Sequence, residues 1–233
     1  MERLNLVLRE KIGLQLLKLL NKNLMGKKEQ KILTAILIGT SALLIIALVI
    51  RNKRKKIKCN DKVLFLGNSQ TASSSSYVEK LIQQCSNSDF TKVAKVGAKS
   101  DWILDAYKKE IQNGKKYEWV SVMIGGNDIF ARKSIDKTKE NLEELFKLAK
   151  QNKSKILVMS SPTKEFYSKT QPIHLELAIE LEEWLDKNKL VNKFIPLTQL
   201  TANQDLFASD NLHINKKGQT LVYNKIKDKA FNV

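Results

Sequence analysis

The stretch DKVLFLGNSQTASSSS, residues 61–76, decides how the rest of the chain is read. Val63, Leu64, Phe65 and Leu66 form a short continuous apolar run. A run of that length, bounded by turn residues, predicts a strand buried on both faces, the pattern of a parallel sheet. Gly67 ends it and lets the backbone turn sharply. Ser69 then lies past the carboxyl end of the strand, before the next predicted helix, where α/β sheets carry their ligands. Taken alone, Ser69 reads as a turn or N-cap residue.

The sequence downstream repeats the pattern. Tyr77 to Cys85 has helical spacing, with Val78, Leu81 and Ile82 on one face and N-cap candidates in Ser73 to Ser76. Phe90 to Val96 predicts a second strand and Asp101 to Gln112 a helix closed by Gly114. Trp119 to Ile124 predicts a third strand, followed directly by Gly125-Gly126-Asn127-Asp128. A helix over Ser134 to Gln151 and a strand over Lys155 to Met159 come next. A helix over Ile173 to Asn188, a fifth strand over Lys193 to Leu197 and a helix over Asn215 to Phe231 complete the series. Alternating strands and helices predict a three-layer α/β/α domain with a five-stranded parallel sheet. Right-handed crossovers put every strand's carboxyl end on one edge. The loops with Ser69, Gly97 and Asn127 meet there, and the loop with Asp210 and His213 can reach it.

The residues ahead of this domain differ in composition. Ile32 to Ile50, ILTAILIGTSALLIIALVI, holds no charge over 19 residues and has basic residues on both sides. It predicts a transmembrane helix, because about 20 apolar residues span a bilayer core. Residues 1–31 form a leucine-rich basic segment, 51–58 a basic linker and 59–233 the globular domain. The net charge of +17 is uneven: residues 1–58 hold 14 Lys/Arg against 3 Glu, and the other 175 hold 27 Lys/Arg against 21 Asp/Glu. The excess therefore sits beside the apolar span, which points to a membrane surface and away from nucleic acid. Seven Lys/Arg in residues 51–70 against five in 12–31 lean weakly towards a cytoplasmic domain. Cys59 and Cys85 form no CxxC or Cys/His cluster, so no metal site is expected; they read as two free thiols, with one disulfide between them in an oxidising compartment as the alternative. Cys59 follows Ile57-Lys58 and not a small-residue lipobox, so it does not read as lipidated.

The chain has two histidines. Asp210 precedes His213 by three residues, so one turn can bring carboxylate to imidazole and fix its tautomer. His174 has no acid at a useful spacing and reads as a surface or helix-start residue. Ser69 as nucleophile would need such a base, and an oxyanion would need donors. The Ser69 and Gly97 N–H groups and the Asn127 amide are the candidates.

Taken together these blocks resemble the SGNH (GDSL-type) hydrolases over roughly Lys62 to Lys227. Val63 to Ser69 resembles the first block, with Ser69 as the implied nucleophile. Val96-Gly97 resembles the second, Gly125-Gly126-Asn127-Asp128 the third and Asp210-Asn211-Leu212-His213 the last. The resemblance implies a Ser69, His213, Asp210 triad and an oxyanion hole from Ser69, Gly97 and Asn127. It implies no metal or organic cofactor, and an acyl ester of a lipid or an acetylated carbohydrate as substrate. The family usually has Asp where this chain has Asn68, which keeps neutral hydrogen bonds but not the charge. Two other readings stay open from sequence: a non-catalytic binding module on this fold, and a membrane-interacting protein that works through its first 58 residues.

Overall fold

The computed structural model describes residues 56–131, 134–162, 173–210 and 212–233, together with Gly26, Thr34 and Ile38. The chain divides into two compact units, Met1–Arg54 and Lys55–Val233. Of the apolar span 32–50 only Thr34 and Ile38 are described, both helical, so the transmembrane reading lies outside the described residues. Among the described residues no helix is long and apolar enough to cross a membrane.

The second unit begins with the two-residue strand β1, Ile57–Lys58, and then β2, Val63–Gly67. A short helix α1, Ser69–Ala72, and a longer α2, Tyr77–Gln84, follow. After them come β3, Phe90–Ala94; α3, Ser100–Gln112; β4, Trp119–Ile124; and a second short helix, α4, Gly126–Phe130. The chain continues through α5, Ile135–Gln151; β5, Lys155–Ser160; α6, Ile173–Lys187; and β6, Lys193–Ile195. Two 3-10 turns, Thr198–Ala202 and Gln204–Leu206, lead to α7, Lys216–Ala230, and β7, Phe231–Asn232.

Strands β2 to β6 form one parallel sheet in the order β3-β2-β4-β5-β6. Every residue of β2 and β4 is buried, as continuous apolar strands require. Successive side chains leave on opposite faces. Val63 and Phe65 pack with α2 and α7 on one side. Leu64 and Leu66 pack with α3, α5 and α6 on the other. Each fully buried Leu, Val or Phe contributes about 1.5–3 kcal/mol relative to an exposed one. Three layers result, as the alternation predicts.

The boundaries move where turns intervene. The strand expected to reach Val96 stops at Ala94, and Val96 is exposed on a turn closed by Ala98 N–H donating to Lys95 O at 3.1 Å. His174, read as a surface or helix-start residue, does stand in the first turn of α6, but it is buried and not at the surface, edge-on to Phe130.

The two cysteines are not free thiols. Cys59 and Cys85 form a disulfide with Cα atoms 5.2 Å apart. The cause is a pairing that no local pattern shows. β1 runs parallel to β7, with Ile57 beside Phe231, and Ile57 is fully buried. That pairing docks Cys59 at the end of α2, whose C-cap is Cys85. Closing a loop of 26 residues restricts the unfolded chain by roughly 3 kcal/mol. Thermal melts with and without dithiothreitol should therefore show a lower midpoint on reduction; equal midpoints would mean that the bridge adds no stability.

Candidate active site

The site forms at the carboxyl edge of the sheet. Gly67 ends β2, and a Cβ there would lie 2.1 Å from Thr71 Oγ1, so the chain can turn back this tightly only with glycine. Asn68 follows in extended conformation and caps α1, its Oδ1 accepting from Gln70 N–H at 3.0 Å. Its Nδ2 donates to Ser161 Oγ at 3.0 Å, and the residue is 3% exposed. Ser69 is the first residue of α1, not a loop residue ahead of it. Its N–H is therefore one of the donors a helix start leaves without an intrahelical partner.

His213 arrives from 144 residues downstream, its Nε2 2.9 Å from Ser69 Oγ. Its Nδ1 lies 2.6 Å from Asp210 Oδ2. The other oxygen of Asp210 accepts the N–H groups of Leu212 and His213, both at 3.0 Å, which winds residues 210–213 into a tight turn. These bonds pull the Asp210 carboxyl from the ordinary 3.8 down to about 2; the backbone N–H of His213 acts most, then its imidazole, then the N–H of Leu212. A lowered carboxyl stabilises the folded turn fully above the ordinary carboxylate range, and that contribution is lost as pH falls towards about 2. At neutral pH the carboxylate is ionised, so Nδ1 carries the proton and Nε2 is left to accept from Ser69.

The turns that carry the other two predicted donors are tied to the end of β2 and to each other. Lys95 N–H donates to Gly67 O at 3.1 Å, which ties the Gly97 turn to the end of β2. Gly97 has φ +75, and a Cβ there would meet nothing within 4 Å, so backbone conformation and not crowding selects glycine. Asn127, in α4, donates one amide hydrogen to Ala98 O at 2.9 Å, leaving its second directed elsewhere.

Asp128, whose role the sequence did not show, locks the two loops together. Buried, it accepts Ser100 N–H at 3.0 and 3.1 Å and Ser100 Oγ–H at 2.7 Å. Thr138 Oγ1 adds a bond at 3.3 Å, and Asn141 Nδ2 donates to Ser100 Oγ at 3.0 Å. The only trace of this brace in the sequence is Asp128 itself, because its partners lie 28 and 10 residues away.

A hydroxyl on an imidazole paired to an ionised carboxylate, beside backbone and amide donors, can carry out acyl transfer. The model of the GDSL-like lipase/acylhydrolase family matches residues 65–221. The chain belongs to that family. It is a serine ester hydrolase, as GDSL-like acylhydrolases are. No curated protein matches it. Among solved structures it is similar to esterase EstA from Pseudoalteromonas sp. (21% identity, 73% of this chain and 96% of that one, TM-score 0.54). It is also similar to a G-D-S-L family lipolytic protein from Veillonella parvula (18% identity, 71% and 96%, TM-score 0.60). A third is the acetyl xylan esterase AlAXEase (16% identity, 74% and 98%, TM-score 0.59). At these identities the likeness establishes the fold.

Within this GDSL-like chain the Asn68 departure leaves the turn intact, because the amide makes both bonds that shape it. An Asn68→Asp carboxylate can still accept from Gln70 N–H, with Ser161 rotating to donate. Asn68→Asp should therefore keep ester turnover within about threefold. Asn68→Ala, which removes the cap at a cost of roughly 1 kcal/mol, should lose more than that. Equal rates for the Ala variant and the wild type would show that the side chain does not shape the turn.

Proposed function

We propose that Ser69 is the nucleophile of this hydrolase, His213 its general base and Asp210 the residue that holds and charges His213. The observation that carries the reading is the continuous chain of contacts Ser69–His213–Asp210, at 2.9 and 2.6 Å, at the carboxyl edge of the sheet.

In the proposed reaction Ser69 Oγ attacks the ester carbonyl while its proton passes to His213 Nε2. Asp210 stabilises the imidazolium that forms. The carbonyl oxygen becomes an oxyanion, held by the N–H groups of Ser69 and Gly97 and the free hydrogen of the Asn127 amide. The intermediate collapses, the C–O bond to the alcohol breaks, and the alcohol leaves with the proton from Nε2. Water then attacks the acyl-Ser69 ester, giving its proton to His213. Collapse of that second intermediate returns the proton to Ser69 and releases the acid. One ester and one water become one acid and one alcohol.

The alcohol side of this reading is a bulky one: an O-acetylated envelope carbohydrate or a lipid. His213 and Asp210 have 35% and 49% of their side chains exposed, which leaves room for a large leaving group at that edge. The acetylated-carbohydrate arm also draws on the similarity to an acetyl xylan esterase. We place the domain on the oxidising side of a membrane, anchored through residues 32–50. The 19 uncharged residues support the anchor. The Cys59–Cys85 bridge supports the side, since such bridges persist in oxidising compartments. It outweighs a basic-residue difference of seven against five.

Short-chain chromogenic esters, acetylated oligosaccharides and longer acyl esters given to wild type and Ser69→Ala test the reading. Ser69→Ala should lose roughly 10³-fold or more in kcat. Turnover by the Ala variant at the wild-type rate would remove Ser69 from the chemistry. Preference for the longer acyl esters would select the lipid arm. Resistance of the full chain to alkaline carbonate extraction, lost on deleting residues 1–50, checks the anchor; release of the intact chain would contradict it.

A further inference from the structure

Gln70 follows Ser69 directly and belongs to none of the four blocks that mark the family. It is 4% exposed, although its side chain is a carboxamide that exposure would hydrate. All its polar capacity goes to the segments around the proposed triad. Its Nε2 donates to Leu212 O and to Pro162 O, both at 3.5 Å. Its Oε1 accepts Ile214 N–H at 3.4 Å and Gln219 Nε2 at 3.4 Å. Gln219, buried in α7, reaches the backbone carbonyl of Gln70 as well, at 3.5 Å.

The two backbone groups that Gln70 holds in the histidine loop flank one residue. Leu212 O precedes His213 and Ile214 N follows it. His213 itself is poorly enclosed, and its acid partner is half exposed. The loop is braced elsewhere to its own neighbours: Ala208 N–H donates to His213 O, and Asn215 N–H to Leu206 O, both at 2.8 Å. Those bonds tie it to the preceding segment 206–208 and say nothing about where it sits against Ser69. Among the described residues, the hydrogen bonds that cross from the Ser69 turn to the histidine loop are Ser69 to His213 and those of Gln70. Bonds of 3.4–3.5 Å are individually weak. Two of them, to Leu212 O and from Ile214 N–H, restrict both sides of His213 together, while those with Pro162 O and Gln219 Nε2 hold the buried carboxamide in place.

We infer that Gln70 is a positioning residue: with Gln219 behind it, it clamps the backbone on both sides of His213 so that Nε2 stays on Ser69 Oγ. The inference rests on the triad reading above. A clamp of this kind acts on the proton transfer and not on substrate contact. Its loss lowers kcat, since misplacing a base by a fraction of an ångström costs rate more than binding.

Gln70→Met keeps the length and bulk of the side chain and removes its hydrogen bonds. With the acetyl ester as substrate, kcat should fall by roughly 10- to 100-fold with KM within about twofold. The rate of Ser69 labelling by a fluorophosphonate should fall in parallel, since labelling needs the same proton transfer. Gln219→Met should give a smaller fall, and the pair should be clearly non-additive, because Gln219 acts through Gln70. Melting midpoints separate this from unfolding, and Gln219→Met carries the test if Gln70→Met does not fold. Wild-type kcat in these variants, or a fall matched by the loss of folded protein, would overturn the clamp. A wild type that neither turns over esters nor labels at Ser69 would remove the triad reading and the clamp with it; a labelled wild type matched by Gln70→Met removes the clamp alone.

Discussion

The whole carboxyl edge depends on the register of β2 against its two neighbours. Gly67 is paired with Ala94 on one side and Met123 on the other. Because the strands are parallel and in step there, the residues that follow emerge side by side: Ser69 after β2, Gly97 after β3 and Asn127 after β4. A slip of one residue would displace a loop by about 3.3 Å and send every side chain of the strand to the opposite face. Burial of both faces forbids it, since Leu64 and Leu66 would exchange places with Val63 and Phe65 in two differently shaped cores. The position of these three loops is thus set by apolar packing several residues away from Ser69, Gly97 and Asn127.

Chemistry is then added in two ways that differ in range. The Asp210–His213 pair is local: a three-residue turn, closed by two backbone N–H groups on one carboxylate oxygen, orients the imidazole without help from the core. The meeting of His213 with Ser69 spans 144 residues and needs the fold. The loops with Gly97 and Asn127 are an intermediate case, held by the Ala98–Asn127 bond and by the buried Asp128 under Ser100. The charged groups are divided accordingly. Asp210 is ionised and partly exposed, where its charge costs little, while Asp128 is buried and fully hydrogen-bonded. Next to Ser69 the chain carries the neutral Asn68.

These differences of range also explain what could be read from sequence. Short apolar runs mark the central strands β2, β4 and β5 to within a residue, Trp119 to Ile124 without error, because burial on both faces leaves a strong local mark; the half-buried β3 and β6 each end two residues before the expected boundary. The four blocks marked the residues that the structure brings together at the edge. The short helices at Ser69 and Gly126 were missed because they are too brief to show a period. The disulfide was missed because it depends on Ile57 pairing beside Phe231, across nearly the whole domain. The burial of His174 at its helix start is hidden for a similar reason: Phe130, which packs against it, lies 44 positions earlier in the sequence. The roles of Gln70 and Asp128 are not legible in sequence, since the groups they bind lie between 10 and 149 positions away.

Acyl transfer as proposed requires that Ser69 Oγ face His213 on one side and three oxyanion donors on the other. A crystal structure of the domain after reaction with a phosphonate ester tests it most directly. The account predicts phosphorus bonded to Ser69 Oγ. It also predicts the phosphoryl oxygen within about 2.7–3.1 Å of the Ser69 and Gly97 backbone nitrogens and of Asn127 Nδ2. An adduct on another residue, or a phosphoryl oxygen turned to solvent away from those three donors, would contradict it.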